Sequence, residues 1–453
     1  MIRTVLLTGS NGFLGSHIAD ALLRNDYKVR AMVRPTSDLT WLEQKPVSYV
    51  YASLNDPESL KKAVEGVDAV IHNAAVVSSD NKYHYYKHNT EGTRNLAEAV
   101  LDKAPDIERF VFVSSQAAGG PTENQDPRKE DVLPQPVTDY GHSKLLAENH
   151  LRKFKDLLPI SIIRPPALYG PRDTAWLTFF KLISRGIMPL VGRRRELTLT
   201  HGQDAARQVL LQLEKKEAIG DIFHSAPFEP TTFEEFGRCI AKVLGVTPKV
   251  FVVEDILIKT VYPIIYPAFG IFKIKPPFRK DKVVDALVKR WTINGEKAHD
   301  LLGFEGRLPL MAGVGQTVEW YRWKGWLQSP RDRLKARGGS VTKSRQVENH
   351  KVQYDPSCDL CALAIDGEVK TVKHYEDDDF IIVDCLICRE PMAVLKNHRA
   401  HFTDEEKDRL DQIFVNVLDK KYYTDYEQRR IPEHAHVHCR SHRHALPWQK
   451  RPE

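Results

Sequence analysis

Tyr140 and Lys144, in the stretch YGHSK, stand four positions apart and would share one face of a helix. A free phenol with a pKa of about 10 is a poor base at neutral pH, but a neighbouring cation favours the phenolate. The pair therefore suits proton exchange with a substrate hydroxyl. Ser115 closes the apolar run RFVFVSS, a predicted strand, and ligands of open α/β sheets sit outside the strands' carboxyl ends. Alternation lets only one of Ser114 and Ser115 face such a pocket, and Ser115 is the candidate. A second constellation lies near the C-terminus, where HAHVHC would put His434, His436 and His438 on one face of a strand. Upstream of it, Cys358 and Cys361, with Cys385 and Cys388, form two C-x-x-C pairs, enough for a four-cysteine zinc site.

These side chains need elements to hold them. The run Thr8-Gly9-Ser10-Asn11-Gly12-Phe13-Leu14-Gly15 follows the strand-like TVLLT and leads into a helix predicted from near Gly15. Backbone N–H groups at that helix start can meet a pyrophosphate. From residue 4 to about residue 170, strand-like and amphipathic runs alternate, which means βαβ units and a parallel sheet. The expected fold is α/β, a Rossmann-like parallel sheet with a small substrate lobe over residues 170–328, together making a domain of residues 1–328. Residues 329–350 lack apolar periodicity, contain Gly338-Gly339 and read as a linker. A separate domain is expected over residues 351–453.

The chain has 453 residues, which favours two or three domains. With 28% charged and 42% hydrophobic residues it has the composition of a soluble globular protein. A net charge of +6 without a block of like charge argues against a nucleic-acid partner. The apolar run Val5-Leu6-Leu7 is too short for the core of a signal peptide, so a cytoplasmic location is expected. Residues 256–274, ILIKTVYPIIYPAFGIFKI, are the most apolar, but Lys259, Pro263, Pro267 and Gly270 interrupt them. They suit a pocket wall or core segment, with contact at a membrane surface as the sharper alternative.

The G-x-x-G-x-x-G spacing of Gly9, Gly12 and Gly15 resembles the extended short-chain dehydrogenase/reductases, the NAD-dependent epimerase/dehydratase family. GVDAVIHNAA at residues 66–75, Asn89 in HNTEGTRN, and RPPALYGP at residues 164–171 resemble that family's pieces in the same order, and the likeness extends over residues 1–327. The resemblance implies an NAD(P)-dependent enzyme. Thr8, Gly9, Asn11, Gly12, Phe13, Leu14, Gly15, Ala74, Asn89, Lys144 and Pro165 would line the cofactor, and Asn89 would open a helix. Ser115, lying 25 positions before Tyr140, would bind the substrate oxygen, Tyr140 would exchange its proton, and Lys144 would hold the nicotinamide ribose. Family members that use NAD carry an acidic residue at the end of the second strand. Arg34 stands there in this chain, which favours NADP, with NAD as the alternative. The expected reaction is reduction or oxidation of a hydroxyl/carbonyl on a bulky or apolar small molecule, as in hydroxysteroid dehydrogenases and dihydroflavonol reductases. Nucleotide-sugar epimerisation or dehydration is the alternative, and a homodimer is implied by resemblance.

Residues 355–448 resemble the histidine-triad (HIT) superfamily: CDLC, the strand pair YEDDDFIIVD, PMAVLKNH, a helix, then the histidines. This implies an α+β domain in which His436 attacks a nucleotide phosphorus, imidazole being nucleophilic and neutral near pH 7. Zinc would sit on Cys358, Cys361, His398 and His434, against the rival set Cys358, Cys361, Cys385 and Cys388. Two departures stand against catalysis there: Glu390-Pro391 where a glycine-histidine pair is expected, and Cys439-Arg440 where an apolar pair is expected. A non-catalytic zinc interaction module is the other reading of this domain.

Overall fold

The computed structural model describes residues 3–192, 194–262, 280–327, 373–376, 380–384, 391–395, 422–425 and 436–441. It divides into two compact units, Met1–Arg337 and Gly338–Glu453. The expected linker, residues 329–350, lies outside the described residues.

Seven parallel strands form the centre of the first unit: β1 (Thr4–Thr8), β2 (Lys28–Val33), β3 (Ser48–Tyr51), β4 (Ala69–His72), β5 (Arg109–Val113), β6 (Ile160–Arg164) and, further along the chain, β11 (Ile222–His224). Their order is β11-β6-β5-β4-β1-β2-β3. Sequence alternation explains why the sheet is covered on both faces. Val5, Leu7, Ala31, Ile71 and Val111 turn to one side, against α1 (Phe13–Arg24) and α8 (Gly202–Glu214). Leu6, Met32, Val70, Phe110 and Phe112 turn to the other, which packs α2 (Pro57–Val64), α4 (Gly92–Lys103) and α6 (Asp139–Arg152). The strand order reverses between β1 and β4. A crevice at such a reversal, outside the carboxyl ends, is where ligands of these sheets bind.

Helix α1 begins at Phe13, two residues before the expected start, because Gly12 already serves as its N-cap. Asn89 does not open a helix either. The short helix α3 (Lys82–Tyr85) runs into a π-helical turn, Tyr86–Glu91, which continues as α4, and Asn89 sits inside that wide turn.

The smaller lobe joins α7 (Leu177–Ser184) and α9 (Phe233–Leu244) to three short sheets. These are β7 (Ala167–Tyr169) with β10 (Leu199–His201), β8 (Ile187–Val191) with β13 (Lys249–Val253), and β9 (Glu196–Leu197) between β12 (Thr231–Thr232) and β14 (Arg290–Trp291). Its core is aromatic, with Tyr169, Phe180, Phe236 and Tyr321 buried together. A capping box of Thr232 and Glu235 starts α9, and Gly245 in the left-handed region ends it. Within the apolar segment 256–274, residues 256–262 are helical, with Ile256 and Leu257 exposed, while residues 263–274 lie outside the described residues. Among the described residues no helix is long and apolar enough to cross a membrane.

In the second unit five antiparallel strands form a sheet in the order β15-β16-β17-β19-β18. Their ranges are β15 (Lys373–Glu376), β16 (Phe380–Asp384), β17 (Pro391–Leu395), β18 (Tyr422–Asp425) and β19 (His436–Ser441). The expected strand pair of YEDDDFIIVD is the β15–β16 pairing, and His436 pairs in register with Val394. Cys358, Cys361, Cys385, Cys388, His398 and His434 all lie outside the described residues, so both expected zinc sets do too.

Candidate active site

Glycines build the crest above β1. Gly9 has φ +63°, and a Cβ there would meet the Ala74 backbone at 2.8 Å. A Cβ on Gly15 would stand 2.0 Å from the Gly9 carbonyl oxygen. Both positions are therefore closed to any side chain. Gly12 differs, since it is exposed and its Cβ would meet only the Gly9 oxygen, at 3.4 Å. No side chain caps α1 and its first turn holds no acid, so the first N–H groups of the helix are left for an anion. The crest fits a dinucleotide pyrophosphate, which would approach over Gly12.

Several other residues expected at the cofactor have partners within the protein. Thr8 is fully buried, and its hydroxyl accepts from the N–H groups of Asn73 (3.1 Å) and Ala74 (3.0 Å) while meeting His72 Nδ1 at 2.8 Å. Leu14 is buried in the core, and Phe13 packs edge-on against His17. Asn89 uses its whole amide: Nδ2 donates to Val76 O (2.9 Å) and Ser143 Oγ (3.0 Å), and Oδ1 accepts from Val76 N. It ties the β4 exit to α6. Asn11 donates to the Asp38 carbonyl, and Pro165 O accepts from Gln116 N at 2.9 Å. Arg34 follows β2 with its side chain exposed.

Helix α6 is capped by Thr138, whose hydroxyl accepts from Gly141 N. Gly141 is required there, because a Cβ would lie 2.4 Å from the Ala117 oxygen of helix α5 (Gln116–Gly119). That close approach seats Tyr140 beside Ser115, whose side chain lowers the pKa of the phenol. Ser115 also caps α5, accepting from Ala117 N at 3.2 Å. Ser114 faces the other way and donates to Glu148 Oε1 at 2.5 Å. Lys144 is 1% exposed, donates to Val113 O at 2.7 Å, and sits 4.3 Å from the centre of the Phe112 ring.

The electrostatics differ from the sequence expectation. Burial pushes the Tyr140 phenol up to about 12, only partly opposed by Ser115, while Asp285 and Tyr85 push the same way. The Lys144 ammonium does not hold it down here. Lys144 is itself lowered to about 7 by burial, against the pull of Glu148. Both partners are thus drawn toward their neutral forms, because the low dielectric that brings them together also penalises charge.

Three residues of this region were given no role from sequence: Glu148, and His72 and Arg164, which lie within the stretches GVDAVIHNAA and RPPALYGP. Arg164 and Glu148 are both completely buried and pair through two bonds, Nε to Oε1 at 2.9 Å and Nη2 to Oε2 at 2.6 Å. The spacing of Glu148, one turn beyond Lys144, was the available signal.

A glycine crest at a strand reversal, with a serine, a tyrosine and a lysine beside it, defines a dinucleotide-dependent α/β enzyme. Residues 5–223 match the NAD dependent epimerase/dehydratase family and form a domain of that family. The chain is 27% identical over 325 residues to the ceramide reductase of Caulobacter vibrioides, covering 71% of this chain and 96% of the relative. It is 28% identical over 330 residues to the sterol-4-alpha-carboxylate 3-dehydrogenase, decarboxylating, of Dictyostelium discoideum, covering 70% of this chain and all of that one. The fold is shared with the NAD-bound dTDP-glucose 4,6-dehydratase DesIV of Streptomyces venezuelae, with a TM-score of 0.58 at 22% identity, over 72% of this chain and 99% of that one. The chain is an enzyme of this dehydrogenase, epimerase and dehydratase kind.

Proposed function

We propose that the first unit is an NAD(P)-dependent oxidoreductase acting on a hydroxyl or carbonyl of a bulky, apolar substrate. The observation that carries the reading is Tyr140 placed beside Ser115 with Lys144 one turn further along α6, next to a dinucleotide crest. Two relatives aligned over nearly their whole length, named for a ceramide and a sterol carboxylate, favour an apolar substrate. When bound, the cofactor supplies or accepts the hydride. The residues of the chain do the rest. Ser115 holds the substrate oxygen, and Tyr140 gives it a proton in reduction or takes one in oxidation. With its pKa raised by burial, Tyr140 is protonated at neutral pH, the form that reduction uses. Exposed Arg34 suits a 2'-phosphate, so NADPH is the proposed partner.

The test is turnover of ceramide-type and 3-oxosterol carbonyls by the full chain with NADPH and with NADH, next to UDP-glucose as the epimerase control. Tyr140→Phe should bind nucleotide as before and lose at least about 100-fold in turnover. Undiminished turnover in that variant, or epimerisation of UDP-glucose alone, would reject the reading. For the second unit the zinc-bearing, histidine-triad-like reading rests on its sequence motifs. Metal analysis of the purified chain tests it, and loss of zinc in Cys358→Ser but not Cys385→Ser would favour the histidine-containing ligand set.

A further inference from the structure

Three successive residues leave β5, and α6 grips each one from a different turn. Lys144 donates to the Val113 carbonyl, Glu148 accepts from the Ser114 hydroxyl, and Tyr140 sits beside Ser115. Tyr140, Lys144 and Glu148 are spaced four apart, so a single stripe of the helix does all three. Of the three grips, the one through Glu148 alone extends to a further strand. Its carboxylate takes both Arg164 bonds at the end of β6, and Pro165, next in the chain, accepts from Gln116 N beyond Ser115.

We propose that Glu148 is a positioning residue for the reaction: clamped by Arg164 and Ser114, it sets the height of the Tyr140–Lys144 stripe against Ser115. The inference rests on the oxidoreductase reading for its consequence, but the geometry stands without it. A carboxylate is suited to the task because it accepts three hydrogen bonds at once and fixes a guanidinium bidentately. It also acts on Lys144 along the helix, favouring the charged ammonium. The other groups around Lys144 are Val113 O and the Phe112 ring on β5 and His72 on β4, which is uncharged at neutral pH. Among the described residues, Glu148 is therefore the one anion acting on Lys144.

The test reads Lys144 directly and needs no substrate. In the full chain with lysine ¹³C-labelled at Cε, the Lys144 signal, assigned by its loss in Lys144→Met, is titrated in the wild type and in Glu148→Gln. The midpoint should move down by about one pH unit in Glu148→Gln. An unmoved midpoint in a folded variant overturns the electrostatic part of the proposal. Because a lone guanidinium left buried can unfold the chain, the second variant is Glu148→Met with Arg164→Met, which removes both charges. Turnover relative to wild type should then stay at least 10-fold down in kcat, with KM and nucleotide affinity little changed. Full kcat in that folded double variant would show the pair to be structural only and would overturn the positioning role. Absence of turnover in the wild type itself points instead to the oxidoreductase reading, and leaves the titration to decide.

Discussion

Thr8 Oγ1 lies 2.8 Å from His72 Nδ1, and its neighbours fix the direction of the proton between them. The Thr8 oxygen already accepts two backbone N–H groups, so its one proton goes to the histidine. His72 therefore carries its own proton on Nε2 and donates it to Thr93 Oγ1 at 2.9 Å. Thr93 in turn donates to the Asn89 carbonyl at 2.6 Å. One oriented chain of hydrogen bonds runs from the glycine crest to the turn that braces α6.

Thr8→Val keeps the shape of the side chain and removes both the acceptor and the donor. It should lower the stability of the first unit by about 2–4 kcal/mol, read as a shift in the urea midpoint, and weaken nucleotide binding in parallel. Thr8→Ser should restore both. A stable Thr8→Val with normal binding would mean that the chain of bonds does not hold the crest.

Two glycines of the crest should respond differently to one added methyl. Gly15→Ala meets backbone and should fail to fold or lose several kcal/mol. Gly12→Ala has room in the protein and should melt near the wild-type temperature, yet its methyl would stand where the proposed nucleotide's phosphate would approach. Its nucleotide affinity should fall at least about 10-fold, a loss of about 1.4 kcal/mol. Equal behaviour of the two variants, by melting and by nucleotide fluorescence, would contradict the geometry of the crest.

Four buried histidines set an acid limit. Burial lowers His17 to about 4, and His72, His201 and His224 to about 3. With folded values below the unfolded one of about 6.5, their stability is fully present above that pH and drains away as pH falls toward the folded values. Each contributes a slope approaching about 1.4 kcal/mol per pH unit. Urea midpoints should therefore drop steeply between pH 6.5 and 5, before most carboxylates titrate. A flat profile over that window would show that these rings are not held neutral.

The fold of the first unit was legible because its signals are local and repeated. Alternation in TVLLT, AVIH and RFVFV assigns each residue to one side of the sheet, and the clusters fall out accordingly. The spacing of Tyr140 and Lys144 likewise survives folding unchanged, since a helix converts separation into direction. Sequence could not show what burial would do to those two groups, because it depends on Phe112, Val113 and Tyr85, brought in from other elements. For the same reason sequence did not join Arg164, at the end of β6, to Glu148, 16 residues away on a helix. The wide turn at Tyr86–Glu91 also has no sequence signature, being a compromise between α3 and α4 rather than a preference of its own residues.

That wide turn makes one stretch of the chain tolerant of a change in length. In an ordinary helix, removing a residue rotates everything beyond it by about 100°, which in α4 would swing Arg94 and Glu98 toward the place of Leu96, Ala97 and Val100. A π turn carries one residue more than an α turn, so a single deletion within it closes the turn to α geometry and leaves the helix beyond in phase. The residue given up would be felt where the turn meets its neighbours: at Asn89, whose amide joins Val76 to Ser143, and at Thr90, whose hydroxyl donates to the Ser143 carbonyl. The scaffold and the brace are thus separable by one codon, and a shortened chain could keep its core while losing the alignment of α6.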